Sequence, residues 1–513
     1  MNHHPTLIKT VLLLTIGCIS FVHAKKLPNI IIFLVDDMGL MDTSVPMLID
    51  NNGEPEIHPL NEFYQTPNME RMGGQGIRFS TFYAQSVCSP SRASLLTGQN
   101  ATRHKTTTWI RPSSNNRGKF GPRKWNWTGM KAGDVSLQSL LQGAGYKTIH
   151  VGKGHLGPDG HDGADPTKVG FDVNVGGSSQ GSPGSYLGKD NYRNQGKKYS
   201  EYFVPHLEAY HGSDVFLTEA LTLEAIKELE KSVEAETPFF LHMSHYAVHT
   251  PWVSDPRFAE NYADSKMPAA VKSFATLIEG MDKSLGDIMD AVEALGVAED
   301  TLLIFLGDNG SDSRIKDPWS VGSSAPLRGK KGTHYEGGTR IPFIVSWVSP
   351  DSNNPLQKKL PIAAGSIQSQ MGMIMDVFPT VLNLAGVEVP KDHIVDGQDL
   401  ATLLSGNPDP SREDNFLMHF PHDHRSSTFT SLHQGDWKLI YHYVLGTGKK
   451  KGQGHSERYQ LFNLSEDPYE TTNLASSNPE KLSSMMKRMV DQLEAEGALY
   501  PEKNGEEIRP IMP

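Results

Sequence analysis

The chain is nearly devoid of cysteine: its 513 residues include two, Cys18 and Cys88. That scarcity excludes a disulfide scaffold and a multi-thiolate zinc site. Positive charge is in deficit, 48 Lys and Arg against 59 Asp and Glu, for a net charge of −11. Without a global basic field, nucleic acid is not an expected partner. Long apolar runs are missing beyond residue 24, and the one candidate, VLLLTIGCISFV at 11–22, is too short to span a bilayer comfortably. The sequence has no internal repeat and no sustained heptads, so a solenoid and a coiled coil are excluded too.

What the amino terminus does contain is the pattern of a signal peptide over residues 1–24. Lys9 supplies the positive region, the apolar run follows, and Val22-His23-Ala24 is a small-residue cleavage site. The expectation is a secreted or periplasmic protein with no stable membrane anchor. Lipoprotein anchoring at Cys18 is the alternative, although Thr15 stands where a lipobox has an aliphatic residue. Once residues 1–24 are removed, Cys88 has no intramolecular partner. It is then a buried thiol, an intermolecular disulfide, a catalytic thiolate or a site of modification.

Short β-branched runs alternate with helical patterns along most of the chain. NIIIFLVDD (29–37), YKTIHVGKGH (146–155), PFFLHMSH (238–245), TLLIFLGDNG (301–310) and IPFIVSW (341–347) read as strands, several of them buried on both faces. This alternation predicts an α/β fold with a large, mostly parallel central sheet flanked by helices. Polar residues follow the strands: Asp36 and Asp37, Lys153 and His155, His249, Asp308 and Asn309. In open α/β sheets the site lies beyond the carboxyl ends of the strands, so these residues are expected to converge on one crevice. Lys153 and His155 are two apart, and on an extended strand end both face that crevice.

After about residue 416 the pattern changes. GDWKLIYHYV and RYQLFNL alternate as antiparallel strands do, the lysines at 449–451 read as a solvated hairpin tip, and PEKLSSMMKRMVDQLEAEG is an amphipathic helix with core methionines. The expected organisation is a catalytic domain over 25–415 and a smaller α+β subdomain over 416–513.

The stretch CSPSRASLLTG, starting at Cys88, resembles the signature of the formylglycine-dependent (type I, arylsulfatase-like) sulfatases. The blocks PNIIIFLVDDMG, GYKTIHVGKGHLG, VHTPW, FLGDNGS, RGKKGTHYEGGTRIPFIVSW and GDWKLIY resemble family blocks in family order, the weakest match being 157–210. The resemblance implies an alkaline-phosphatase-like sandwich. It implies that Cys88 is oxidised to formylglycine, with a formylglycine-generating enzyme as maturation partner. The hydrated aldehyde offers one hydroxyl to attack sulfur and a second whose proton is lost as sulfate is expelled.

By the same resemblance, Asp36, Asp37, Asp308, Asn309 and modified Cys88 would hold a divalent cation, Ca²⁺ with Mg²⁺ as the alternative. Arg92 would steady the aldehyde hydrate and the acids. Lys153 and His155 would contact the formylglycine, His155 taking the proton during sulfate release. His249 and Lys331 would hold the sulfate and protonate the leaving oxygen. Gly154 stands where many relatives carry an aromatic residue.

The expected substrate is a sulfated carbohydrate, either an algal glycan such as ulvan or carrageenan or a glycosaminoglycan. The basic segment 100–129 carries Trp109, Arg111, Trp125 and Trp127, whose tryptophans are either sugar platforms or structural parts of a loop. FPHDHRSST at 420–428 brings His422, His424 and Arg425, of which His424 and Arg425 are expected at the cleft mouth. The alternatives are a phosphonate or phosphate ester hydrolase of the same superfamily and a non-catalytic sulfated-glycan-binding protein. Asn126-Trp-Thr is a glycosylation sequon, but so is Asn309-Gly-Ser at an expected metal ligand, so the pattern alone assigns no glycan.

Overall fold

A computed structural model describes residue 1 and residues 26–50, 52–194, 202–315, 323–446 and 454–513. The signal-peptide pattern with Cys18 and the hairpin tip at 449–451 lie outside the described residues. The main sheet has eight strands: β1 (Asn29–Val35), β2 (Ile77–Phe79), β3 (Lys147–Gly152), β4 (Val173–Val175), β5 (Phe239–Ser244), β6 (Thr301–Gly307), β7 (Phe343–Trp347) and β8 (Ser366–Gln368). Their order is β8-β2-β7-β6-β1-β5-β3-β4.

β1 is central, and its alternate residues serve two cores. Ile31, Phe33 and Val35 face one layer with helices α3 (Leu217–Glu234) and α4 (Ala269–Ala294). Ile30, Ile32 and Leu34 face the other, with α1 (Cys88–Thr97), α2 (Leu137–Gly143) and α5 (Val377–Ala385). A strand covered on both faces needs the continuous apolar run that β1 has.

The sheet is mostly parallel, as expected, but mixed. β7 pairs antiparallel with both β6 and β2. The IPFIVSW run gave no sign of this, because a doubly buried strand reads the same in either direction. All four strands that end near the acids, β1, β3, β5 and β6, are parallel, so their carboxyl ends open on one side.

The second sheet is antiparallel: β9 (Asn415–Phe420), β10 (Phe429–Gln434), β11 (Trp437–His442) and β12 (Tyr459–Asn463). One face packs Leu417, Leu432 and Leu439 on Met485, Met486 and Met489 of α6 (Pro479–Ala495), so the helix methionines are core as read. The other face places Phe416, Met418 and Phe429 against Tyr83, Val87 and Met373. Val87 adjoins Cys88, so this sheet is packed directly behind the position that the sequence marks for chemistry.

Candidate active site

Cys88 is the first residue of α1, at the helix end where backbone N–H groups lack intrahelical partners and favour negative charge. It is buried, and no disulfide partner lies among the described residues. One turn on, the fully buried Arg92 donates from Nε and Nη2 to Asp308 Oδ2 at 3.0 and 2.9 Å. Its Nη1 donates to Ser244 Oγ at 2.6 Å and to the Lys153 carbonyl at 3.1 Å. A single guanidinium thus ties together the ends of β6, β5 and β3.

The acids sit where β1 and β6 run out. Asp37 adopts φ 62°, a left-handed conformation that Asp tolerates, and its N–H donates to Asp308 Oδ1 at 3.0 Å. Asp36 Oδ2 accepts from Lys153 Nζ at 2.6 Å. Asp37 Oδ1 accepts from Asn309 Nδ2 at 3.0 Å and from Lys331 Nζ. Burial pushes Asp36 and Asp308 up to about 6, with the Asp36 charge adding to the rise at Asp308. Against a burial that would raise it, Lys331 and His249 hold Asp37 well below the carboxylate range.

Each side of this cluster keeps atoms in reserve. Asp36 Oδ1, Asp37 Oδ2 and Asn309 Oδ1 are buried without a hydrogen-bond partner among the described residues. Oxygens from Asp36, Asp37 and Asp308 lie within 4.8 Å of one another. Buried oxygens left unpaired are costly, and an all-oxygen set of this kind fits a hard divalent cation.

β3 stops at Gly152, at φ 103°, where a Cβ would stand 1.9 Å from the Ser244 carbonyl oxygen. Only glycine allows that turn, and His155 follows at φ 53°. The extended strand end expected for Lys153 and His155 is therefore a bend, and both side chains still enter the crevice. At Gly154 a Cβ would lie 2.9 Å from the Ser178 carbonyl oxygen, so the local backbone has no room for a larger residue.

His155 Nε2 donates to the Ile110 carbonyl at 2.6 Å. That fixes the tautomer and leaves the Nδ1 lone pair facing Cys88 Sγ at 3.4 Å and Ser89 Oγ at 3.3 Å. Burial, reinforced by the Lys153 charge, drives the imidazole well below its usual value, so it is neutral. His249 Nδ1 donates to the Thr250 carbonyl at 2.8 Å, and its Nε2 lies 3.7 Å from Asp37 Oδ2. Burial brings His249 down to about 3 despite Asp37. Burial opposes the Lys331 ammonium, but Asp37 holds it charged.

Cys88, His155, His249 and Lys331 share a cavity of about 210 Å³ with Trp109, His424 and Arg425. Arg111 stacks over the Trp109 ring at 5.6 Å from its centroid, and the His424 ring lies 5.6 Å away on the same indole. Arg425 reaches Asp312 Oδ2 at 2.9 Å. The other aromatics are structural: Trp125 is buried and donates to Asn115, Trp127 packs on His161, and buried His422 bridges Thr107 and the Arg117 carbonyl.

Sequence reasoning missed Asp312, Ser89, Ser244 and Tyr186, whose hydroxyl donates to the carbonyls of Tyr246 and His249 and so fixes the His249 turn. Two of them had a signal: Ser89 stands inside the CSPSR motif, and Asp312 stands four residues beyond Asp308.

The family model described as Sulfatase matches residues 28–387. This chain belongs to the sulfatase family. It is a sulfuric ester hydrolase. A second model, the C-terminal region of N-sulphoglucosamine sulphohydrolase, matches 330–497.

This sulfatase is 30% identical to mouse N-acetylgalactosamine-6-sulfatase over 93% of the chain and 88% of that protein. It is 27% identical to a sulfatase of Formosa agariphila over 89% and 86%. Among solved structures, Ps i-CgsB in complex with k-i-k-neocarrahexaose aligns with TM-score 0.68 and 26% identity, covering 91% of this chain and 93% of that one. A phosphonate monoester hydrolase of Agrobacterium radiobacter aligns with TM-score 0.57 at 18% identity, which shows a common fold alone. No helix among the described residues is long and apolar enough to cross a membrane.

Proposed function

We propose that this sulfatase removes sulfate from a sulfated carbohydrate, with residue 88 acting as formylglycine. The carrying observation is the cavity that places position 88, a neutral His155 lone pair and the Lys331 ammonium beside the Trp109, His424 and Arg425 mouth. The relatives named for N-acetylgalactosamine-6-sulfate chemistry and the carrageenan-oligosaccharide complex support a sugar.

Asp36, Asp37, Asp308 and Asn309 would hold a divalent cation, with Ca²⁺ the occupant in this reading. When bound, it lowers the pKa of the attacking hydroxyl and draws charge from the sulfate. As a hydrated aldehyde, residue 88 attacks sulfur with one hydroxyl and expels sulfate when the second loses its proton.

The remaining work falls to fixed side chains. Arg92 and Lys153 hold the acids in register beside residue 88. His155 Nδ1 accepts the proton released as the aldehyde re-forms. Lys331 and His249 flank the sulfate on the Asp37 side, where the Lys331 ammonium grips its oxygens and gives a proton to the departing sugar oxygen. In this scheme residues 1–24 direct export, a formylglycine-generating enzyme modifies Cys88, and the unit from 416 onward adds His424 and Arg425 to the mouth of the catalytic unit over 25–415.

Mass spectrometry of the tryptic peptide Phe79–Arg92 from natively produced, active protein tests the reading. Formylglycine is expected as a loss of about 18 Da relative to cysteine. An intact thiol in fully active protein would overturn the mechanism.

A further inference from the structure

Outside the acidic crevice, a second cluster of ligating side chains lies between the Lys331 loop and the C-terminal sheet. One ring nitrogen from each of His334, His442 and His455 falls within 4.8 Å of the other two. The His442 and His455 rings stack at 3.8 Å with an interplanar angle of 8°, and the His334 ring stands edge-on to them at 4.7 and 5.8 Å.

His334 is 4% exposed, yet neither of its ring nitrogens has a hydrogen-bond partner among the described residues. A buried imidazole left without partners on both nitrogens is unusual and calls for an explanation. The other two rings are oriented from behind. His442 Nε2 donates to Gln460 Oε1 at 3.0 Å, which leaves Nδ1 as its ligating atom, with the Ser427 hydroxyl that an ion would displace from it 2.9 Å away. His455 Nδ1 lies 3.1 Å from the Glu457 carbonyl and accepts at 3.1 Å from the Glu457 N–H; in the tautomer that donates to the carbonyl instead, Nε2 is the ligating atom. Such outer hydrogen bonds are the usual means of fixing a metal-binding histidine.

Burial pushes His334 well below its ordinary value, with its two histidine neighbours adding to the effect, and takes His442 down to about 3. Both of these rings are therefore in the neutral form that binds metals. Partly exposed His455 gives the cluster an edge toward solvent.

We propose that His334, His442 and His455 form a binding site for a transition-metal ion, with Zn²⁺ as its occupant, distinct from the acidic crevice. The set holds no carboxylate, so it discriminates against Ca²⁺ and Mg²⁺, whereas imidazoles suit zinc. Three protein ligands leave a fourth position for water or Ser427. His334 follows Lys331 by three residues, on the loop where the Gly332 N–H donates to the Ser86 carbonyl at 2.8 Å. An ion here ties that loop to β11 and braces it from behind; it takes no part in sulfate transfer.

The test uses full-length protein stripped with chelator, returned to excess Ca²⁺ and titrated with ZnCl₂, with bound metal measured by elemental analysis. One zinc per chain is expected beyond the calcium content, and Co²⁺ in its place should give visible ligand-field bands. His455→Phe and His442→Gln should each weaken zinc binding by at least about 100-fold, leaving calcium content and circular dichroism unchanged. Absence of zinc uptake, or uptake unaltered in folded His455→Phe, would overturn the proposal. The partly exposed position of His455 keeps that variant informative if His442→Gln fails to fold.

Discussion

Two buried charge clusters among the described residues differ in whether they border a cavity. The first joins Asp36, Asp37 and Asp308 to Arg92, Lys153 and Lys331. The second joins Glu336 and Glu470 to Lys438 and His433 across the seam between the sheets. There Glu336 Oε1 accepts from Lys438 Nζ and His433 Nε2, both at 2.9 Å, and Oε2 accepts from Tyr83 at 2.7 Å. Lys438 also pairs with Glu470 Oε1 at 2.8 Å, and Glu470 Oε2 accepts the Glu336 N–H at 2.8 Å.

Burial pushes Glu470 up to about 7, whereas Lys438 and His433 hold Glu336 well below the usual range despite its burial. In the seam both glutamates engage the same ammonium, and both Glu336 oxygens are bonded. In the crevice three oxygens lack a hydrogen bond among the described residues, and their neighbours His249 and Lys331 line a cavity. A network sealed between two layers specifies how they dock; one that borders a cavity is placed to receive something.

The sharpest way to break the comparison is to remove one lysine from each cluster. Lys331→Ala should cut sulfate release by about 10²–10⁴-fold with a small change in stability, because Asp37 keeps Asn309 and, in the proposed function, a cation. Lys438→Met should cost about 3–5 kcal/mol of stability, the penalty for an uncompensated buried charge. Its folded fraction should retain near-normal turnover. Steady-state kinetics paired with denaturant melts on both variants would read the contrast, and equal stability losses would erase it.

Metal removal should separate the clusters again. Chelation is expected to abolish turnover and lower the melting temperature, with Ca²⁺ at about 100 times its Kd restoring about 2.7 kcal/mol. In Asp308→Asn the calcium-dependent part of the melting shift should shrink, whereas in Lys438→Met it should persist. Calorimetric melts with and without the ion decide this.

The crevice was far more legible in the sequence than the seam. Asp36, Asp37, Asp308 and Asn309 stand at the ends of doubly buried strands, and Cys88 with Arg92 lies in one short motif, so local pattern carried them. Glu336, His433, Lys438 and Glu470 are single residues from separate segments. Their partnership depends on how the second sheet docks, which no local periodicity encodes. The His334, His442 and His455 cluster was hidden for the same reason, as was Asp312 as the partner of Arg425. Strand existence was readable from hydrophobic runs, but the antiparallel direction of β7 was not.

The smallest expected effect belongs to the cavity mouth. His424 and Arg425 line the cavity, and Arg425 is held by Asp312 at 2.9 Å. His424→Ala and Arg425→Ala should each raise KM for a sulfated oligosaccharide about tenfold, roughly 1.4 kcal/mol, while kcat/KM for a small aryl sulfate stays near normal. The split arises because an aryl sulfate places only its sulfate among Lys331, His249 and residue 88, whereas a glycan also extends over Trp109 and the second sheet's loop. Asp312→Asn provides a finer control. It frees Arg425 from its anchoring carboxylate and keeps the charge, so a KM change smaller than that of Arg425→Ala would mean that the guanidinium contacts the sugar directly. An equal rise in both variants would instead assign the effect to the loop's position.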